Sequence, residues 1–427
     1  MSKYNLLLSV FLLTSCGGQG DAKSEAPIVP PPNVCSIHEQ NQFLYNMLKG
    51  SYFWYQDVPN LDPLSFDSPH ALLENVKDVI PIDRFSTISA DYKSTISSGQ
   101  YEGFGLGWKV NEAHTAMIID VVFEDSSAKR AGLKRSDKVS EIDGVAISEL
   151  YANGEPLNIL PNTEHTLSLI NAVLGKSQVV IKKDKININT IMANNVFSYE
   201  GIIVGYIAIS SFIHSKTDGF TRAFDAFAKQ GVEQVVIDLR YNSGGSIDAA
   251  YHLASLLGGE YTANKSMSRH IHNDKFSASD KDYSFSDLNV SGYDKISIIV
   301  SEQTCSASEL VVNVLEPYID VKLIGAATCG KPFGFYGKEF CGNTFLPIQF
   351  KIANSLGFGD YIDGIEVDCD TDDDYSKALG NPEERMLKTA LQYSVSGRCI
   401  IKNEQIDDQT NFRKNRKNQP SLMSFIK

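Results

Sequence analysis

Val235-Val236-Ile237-Asp238-Leu239-Arg240-Tyr241-Asn242-Ser243-Gly244-Gly245 reads as an apolar strand that ends in charge and turns on a glycine pair. The apolar run Ile247 to Leu257 after it predicts a helix. Outward from this unit the same alternation repeats. Ile202 to Ile209 reads as a strand and Lys216 to Lys229 as an amphipathic helix. Ile296 to Val300 is a further strand, Ala307 to Leu315 a helix and Val321 to Ile324 a strand. Strands alternating with helices predict an α/β core with largely parallel pairing. Two points of this core carry candidate chemistry. A glycine pair at a strand-to-helix turn exposes backbone N–H groups that suit a developing oxyanion, which nominates Gly244 or Gly245. The strand at Ile296 to Val300 runs into Ser301-Glu302-Gln303-Thr304-Cys305-Ser306-Ala307-Ser308-Glu309. Ser306 at the first turn of the next helix is placed as a nucleophile, with the N–H of Ala307 as a second oxyanion donor.

The chain has 427 residues, enough for about two or three domains. Apolar residues make up 42% and charged residues 21%, the mix of a globular protein. Acids outnumber bases 52 to 39, a balance that disfavours nucleic acid as the main partner, and no nucleic-acid partner is expected. No run of about 18 apolar residues occurs, so no membrane-spanning helix is expected. Around the 187–400 α/β core lie a mainly helical segment, 35–95, and a mainly β segment, 96–186. Gln40 to Tyr55 has apolar residues at helical spacing, and Ala116 to Phe123 and Val179 to Lys183 are β-rich. The polar stretch 401–427, with Arg413, Lys414, Arg416 and Lys417, is expected to be a disordered tail.

The β segment resembles a PDZ domain. Gly103-Phe104-Gly105-Leu106-Gly107-Trp108 is a glycine-rich turn entering a strand. Ser126-Ser127-Ala128-Lys129-Arg130-Ala131-Gly132-Leu133 and Asp137-Lys138-Val139-Ser140-Glu141-Ile142-Asp143-Gly144 follow in the order of the bacterial PDZ pattern. The resemblance implies that Gly103, Phe104, Gly105, Leu106 and Gly107 bind a peptide terminus beside an exposed strand edge. Thr163 to Leu174 is expected to be the helix lining that groove.

The core resembles the carboxyl-terminal processing, or tail-specific, proteases of the S41 serine peptidases. In that family a catalytic serine lies in a Ser-Ala-Ser-Glu-like motif and a catalytic lysine 25 positions later in Gly-Lys. Here these positions are Ser306 and Lys331. Asp238 to Gly245 resembles the family's Asp-Leu-Arg-x-Asn-x-Gly-Gly, Asp83 to Ser86 its Asp-Arg-Phe-Ser, and Glu383-Glu384 its closing Pro-Glu. The resemblance implies a multi-domain α/β protein: a crotonase-like protease core, an inserted β-rich PDZ domain and an N-terminal helical segment. It implies protein or peptide substrates with free C-terminal tails, and no cofactor or metal. One departure stands out. Many members carry a glutamine four residues after the lysine, and here that position is Phe335. Lysine is a base only when neutral, so burial must lower its pKa, and Phe333 and Phe335 supply apolar surroundings. Two other functions use the same residues: a catalytically inactive PDZ scaffold, and an acyl hydrolase acting on small esters through the same dyad.

At the N-terminus, Lys3 precedes the apolar run Leu6 to Leu13, too short to span a bilayer, and reads as a signal peptide over 1–15. Leu13-Thr14-Ser15-Cys16 resembles a lipoprotein lipobox, which implies lipidation at Cys16 and a flexible tether over 16–34. The expectation is an exported protein of the bacterial envelope, lipid-anchored at the outer membrane and facing the periplasm. Six further cysteines suggest disulfides, and Cys35 with Cys399 is the expected tie between the ends of the fold. Other candidates are weaker. His270 and His272 are two apart, but polar neighbours suggest a loop and not a metal site. Asp368, Asp370, Asp372 and Asp374 alternate like a calcium loop, yet Asp373 and Leu379 fail the EF-hand pattern, so a solvated acidic loop is expected.

Overall fold

The structure is a computed structural model that describes residues 35–399, apart from 91, 112, 153–162 and 172–174. The expected signal peptide, tether, Cys16 and basic tail lie outside the described residues. The segment expected to be helical begins with a helix Ile37–Lys49 and a second helix Pro69–Val79. Ser68 caps the second, its hydroxyl accepting from the Ala71 N–H, and Pro69 fits the first turn, where its missing N–H costs nothing. Leu44 and Leu48 of one helix meet Leu72, Leu73 and Val76 of the other in a shared core. The first helix stops at Lys49, short of the predicted Tyr55. Trp54 does reach that core, against Phe333 at 4.9 Å between ring centres.

The central sheet has six strands in the order Ile191–Tyr199, Ile202–Ile209, Gln234–Asp238, Lys295–Val300, Asp320–Gly325 and Cys369–Asp370. Only the first pair is antiparallel; the rest run parallel, as the alternation predicts. Helices Thr217–Lys229, Ile247–Gly258 and Ala307–Leu315 pack one core with the strands, and Arg385–Ser396 packs another. Every residue of Ala307–Leu315 is buried, so its N-terminus is fixed by packing on all sides. The protein is thus a multi-domain α/β fold. A second, four-stranded sheet runs Lys281–Ser284, Ser266–His272, Phe350–Asn354, Phe333–Gly334.

The β segment has its own core, built on Leu106, Ile119, Val139, Ile142 and Leu167. Its sheet runs Leu106–Val110, Met117–Val122, Lys138–Ile142, Glu164–Asn171 and Gly175–Lys182. Two expectations are corrected here. The described part of Thr163 to Leu174 is a strand and not a helix, because His165 and Leu167 fall on one face and bury with period two. The only helices described in this module are Ser127–Arg130 and Ile147–Ala152. The cysteine pairing also differs. Cys369 bonds Cys399, with Cα atoms 5.4 Å apart, and Cys305 bonds Cys329 at 5.2 Å. Cys35 and Cys341 are disulfide-bonded as well.

Candidate active site

Ser306 sits between the strand Lys295–Val300 and the buried helix Ala307–Leu315. Its φ of 57° is unusual for a residue with a side chain and marks a strained turn held by its surroundings. The holding contacts are visible. Thr304 Oγ1 donates to the Leu239 carbonyl at 2.8 Å, Ser308 Oγ to the Asn242 carbonyl at 2.8 Å, and the Cys305 N–H to the same carbonyl at 3.2 Å. The segment carrying Ser306 is therefore stitched to the end of the strand Gln234–Asp238.

Glu309 joins this turn to the loop that carries Lys331. It is fully buried in the first turn of the helix. Its carboxylate accepts from the Ser306 N–H at 2.8 Å, the Lys331 N–H at 2.8 Å, the Gly330 N–H at 2.7 Å and Thr328 Oγ1 at 2.5 Å. Burial pushes the carboxyl up from its ordinary value, and these four donors pull it back. The Cys305–Cys329 disulfide spans the same two loops, one bond from Ser306 and two residues from Lys331. Cys305, Glu309 and Cys329 cluster closely enough to hold a metal, but the two sulfurs are joined to each other.

The Lys331 amine lies 4.4 Å from the centre of the Phe335 ring and 5.4 Å from that of Phe85. It makes no ion pair among the described residues. Desolvation lowers its pKa to about 8, against weaker opposing pulls from Asp83 and Glu309. Phe335 is the residue at the position of the expected glutamine, and it supplies an aromatic wall there. Asp83 is itself buried and engaged: it accepts from Tyr52 Oη at 2.7 Å and from the Ser86 N–H at 2.8 Å. The Asp83–Ser86 motif thus folds the N-terminal segment onto the lysine loop, and Arg84 donates to the Ile362 carbonyl at 2.5 Å.

The glycine pair lies beside Ser306. A Cβ on Gly244 would stand 3.0 Å from the Ser306 Cβ and 3.1 Å from the Ala307 nitrogen. Gly245 has φ 131°, and a Cβ there would come within 2.1 Å of the Phe212 carbonyl oxygen, so only glycine fits. The two are not equivalent as donors. The Gly244 N–H donates to Asn242 Oδ1 at 2.9 Å. The N–H groups of Gly245 and Ala307 have no such partner among the described residues, and both residues line the cleft.

That cleft, of about 390 Å³, brings the predicted residues together. Gly245, Ser306, Ala307 and Lys331 line it. Leu310, Phe333, Phe350, Ile352 and Tyr361 make an apolar lining, and His270, Tyr283 and Lys281 add polar groups.

Other expected residues lie elsewhere. Gly103, Phe104, Gly105, Leu106 and Gly107 are in the β segment, where Leu106–Val110 is an edge strand paired only with Met117–Val122 within its sheet among the described residues. A Cβ on Gly105 would strike the Ser126 Cβ at 2.0 Å. His270 and His272 stand on the strand Ser266–His272, not in a loop. They face different partners: Tyr251 Oη lies 2.9 Å from His270 Nε2, and Asp280 Oδ1 3.2 Å from His272 Nδ1.

The acidic segment is not simply solvated. Asp373 is almost buried and meets two arginines, Arg240 at 2.8 Å and Arg135 at 2.5 Å. Those cations hold its carboxyl well below the usual carboxylate range despite its burial. Arg240, buried on every side, also binds Asp238 and Glu384, both at 2.8 Å. Sequence motifs pointed to Asp238, Arg240 and Glu384 without assigning roles. The network shows what they do: they fix the strand end from which the glycine pair projects, and Arg135 ties the β segment to it.

Comparison with known proteins agrees with this architecture. Residues 203–348 match Peptidase family S41, and residues 39–87 match the Peptidase S41 N-terminal domain. A CtpA-like serine protease of Staphylococcus haemolyticus is 23% identical over 335 residues, 77% of this chain and 63% of that protein. The carboxy-terminal processing protease CtpA of Bacillus subtilis is 24% identical over 310 residues, 69% of this chain and 60% of its own length. The chain thus spans less than two thirds of these relatives. A crystal structure from Bacteroides fragilis assigned to the S41 proteases superposes with a TM-score of 0.69 at 23% identity, covering 82% of this chain and 96% of that one, and shares the fold. Both models, the N-terminal domain and the peptidase core, are matched in order along one polypeptide, which supports an S41 peptidase.

Proposed function

We propose that this protein is a serine endopeptidase that uses Ser306 as nucleophile and Lys331 as general base. The observation that carries the reading is that one cleft is lined by both residues, with the lysine amine desolvated to a pKa of about 8. At that value an appreciable neutral fraction exists near neutral pH. Lys331 takes the Ser306 proton as Oγ attacks the peptide carbonyl. The N–H groups of Gly245 and Ala307 hold the oxyanion, and losing one such donor costs about 3 kcal/mol of transition-state stabilisation. Lys331 then passes the proton to the leaving amine, and water releases the acyl group by the reverse sequence.

Residues 96–186 act in this reading as a PDZ domain that captures a C-terminal tail. The edge position of Leu106–Val110 in its sheet and the glycines Gly103, Gly105 and Gly107 support it, since a tail adds to a sheet edge as a strand. The substrates are exported proteins. The oxidised cysteines favour an oxidising compartment, with Cys16 as the lipid anchor. The test incubates an unfolded protein ending in an apolar tail, free or amidated, with the parent chain and with Ser306→Ala. Fragments from the parent, fewer from the amidated tail and none from the variant are expected. Tight binding without fragments would point to a scaffold, and turnover of small esters alone to an acyl hydrolase.

A further inference from the structure

The Cys305–Cys329 disulfide is a covalent link directly between the two loops that carry the candidate nucleophile and base. Cys305 precedes Ser306 and Cys329 stands two residues before Lys331, with the Cα atoms 5.2 Å apart. The flanks of the bond are packed. Thr304 and Thr328 are buried, and the Cys329 N–H donates to the Thr304 carbonyl at 3.0 Å. Cys329 Sγ also lies 3.5 Å from Glu309 Oε2, the oxygen that accepts from the Ser306 and Lys331 N–H groups. The turn at Ser306, with its φ of 57°, keeps that conformation only while such neighbours hold it. Cys305 and Cys329 are each half-buried, whereas Cys369 of the Cys369–Cys399 bond is 1% exposed. The bond beside the active site is therefore the more open of these two to a small thiolate.

Two thiols do not stay at bonded distance. Reduction therefore pushes the two sulfurs apart inside a joint whose flanks are buried. It also leaves Cys329 with an S–H beside Glu309 Oε2. The adjacent carboxylate opposes ionisation, so the thiol keeps its proton and donates it to the oxygen that ties Ser306 to Lys331. Both effects fall on the placement of nucleophile and base, where a displacement of about 1 Å costs about 10²-fold in rate. We propose that the Cys305–Cys329 bond is a redox switch on the active site: the oxidised chain cleaves, and reduction by a dithiol silences it while the chain stays folded. This rests on the protease reading above and adds its regulation. One thiolate of the dithiol attacks a sulfur of the bond, and its second thiol resolves the mixed disulfide. The dithiol leaves as its own disulfide, and its two electrons and two protons end on the Cys305 and Cys329 thiols. The sense of the switch suits a protease of unfolded chains: off where thiols are kept reduced, on in an oxidising compartment.

The test equilibrates the full chain in buffers of graded reduced and oxidised dithiothreitol and measures kcat/KM on a cysteine-free unfolded substrate. Alkylation with mass spectrometry on a parallel sample shows which cysteines are free, and circular dichroism follows the fold. Activity should fall at least about tenfold in step with the appearance of free Cys305 and Cys329, in a chain that keeps its fold, and return on reoxidation. Cys369→Ser with Cys399→Ser should keep this response. Cys305→Ser with Cys329→Ser should be weakly active in every buffer; if that variant fails to fold, the parent titration decides. Three results would overturn the switch and leave the protease reading intact: undiminished cleavage with Cys305 and Cys329 reduced, a loss that follows another pair of cysteines, or a bond that opens only as the chain unfolds. No cleavage by the oxidised chain would overturn both.

Discussion

Glu309→Gln is the substitution whose cost can be worked from the structure. The carboxylate presents two oxygens to four donors: Oε2 to the N–H groups of Ser306 and Lys331, and Oε1 to the Gly330 N–H and Thr328 Oγ1. An amide keeps only one of these oxygens. Its better orientation keeps the oxygen toward Ser306 and Lys331 and turns NH2 toward Thr328. The Thr328 hydroxyl can reverse and accept, but the buried Gly330 N–H then faces a donor. The charge that strengthened all four bonds is also gone. One orphaned buried N–H costs about 1–3 kcal/mol, and hydrogen bonds to a charged group are worth about 1.5–3 kcal/mol against roughly 1 for neutral ones. The expected loss is therefore about 3 kcal/mol, localised where the Ser306 turn meets the Lys331 loop. Urea unfolding followed by circular dichroism measures it, beside kcat/KM on an unfolded substrate. Destabilisation with activity down at least about tenfold is expected. A variant within about 0.5 kcal/mol of the parent and fully active would refute the claim that this carboxylate holds the two loops in register.

Lys331 must be neutral to act, so kcat/KM should climb with pH and level off above about 8, the value to which desolvation lowers the amine. The same depression means that the unfolded chain, with an ordinary lysine near 10.5, binds more protons between about 8 and 10.5. Stability due to this group thus rises with pH across that window, and Lys331→Met should raise Tm at pH 7 while abolishing cleavage; a lowered Tm would count against a strained, buried ammonium. Replacing Cys305 and Cys329 together by serine releases a cross-link with a sequence separation of 24, worth about 3.5 kcal/mol on the chain-entropy estimate, and urea midpoints with and without reductant would show it. Gly245→Ala places a Cβ 2.1 Å from the Phe212 carbonyl oxygen and displaces the proposed oxyanion donor, so kcat should fall by about 10²-fold or more; a near-normal kcat in a folded variant would remove Gly245 from the oxyanion role.

The parallel core was readable because its strands are short apolar runs and its helices carry a 3.6-residue stripe. Ile202–Ile209 and Ala307–Leu315 have the bounds that their patterns imply. Three features were hidden, each for a physical reason. Glu164–Asn171 mixes histidine, threonine and serine with leucine, and its inward set becomes visible only when His165 is recognised as buried. Asp373 sits in an acidic run that looks solvated, since its cationic partners, Arg135 and Arg240, lie more than 130 positions away in sequence. His270 lies among polar neighbours, and nothing local reveals that Phe350 and Tyr283 close over it. Motif spacing nominated Ser306 and Lys331, and both line the one cleft. The division of labour between Gly244 and Gly245 was not, because it depends on where the Asn242 side chain points.

The central claim is that Ser306 and Lys331 act as one unit. The measurement that tests it most directly is kcat/KM for the parent, Ser306→Ala, Lys331→Ala and the double variant on one unfolded substrate. Residues that work as a unit are strongly non-additive: either single loss should remove nearly all activity, and the double variant should be no worse than the singles. Independent, additive losses, or substantial cleavage by Ser306→Ala, would contradict it.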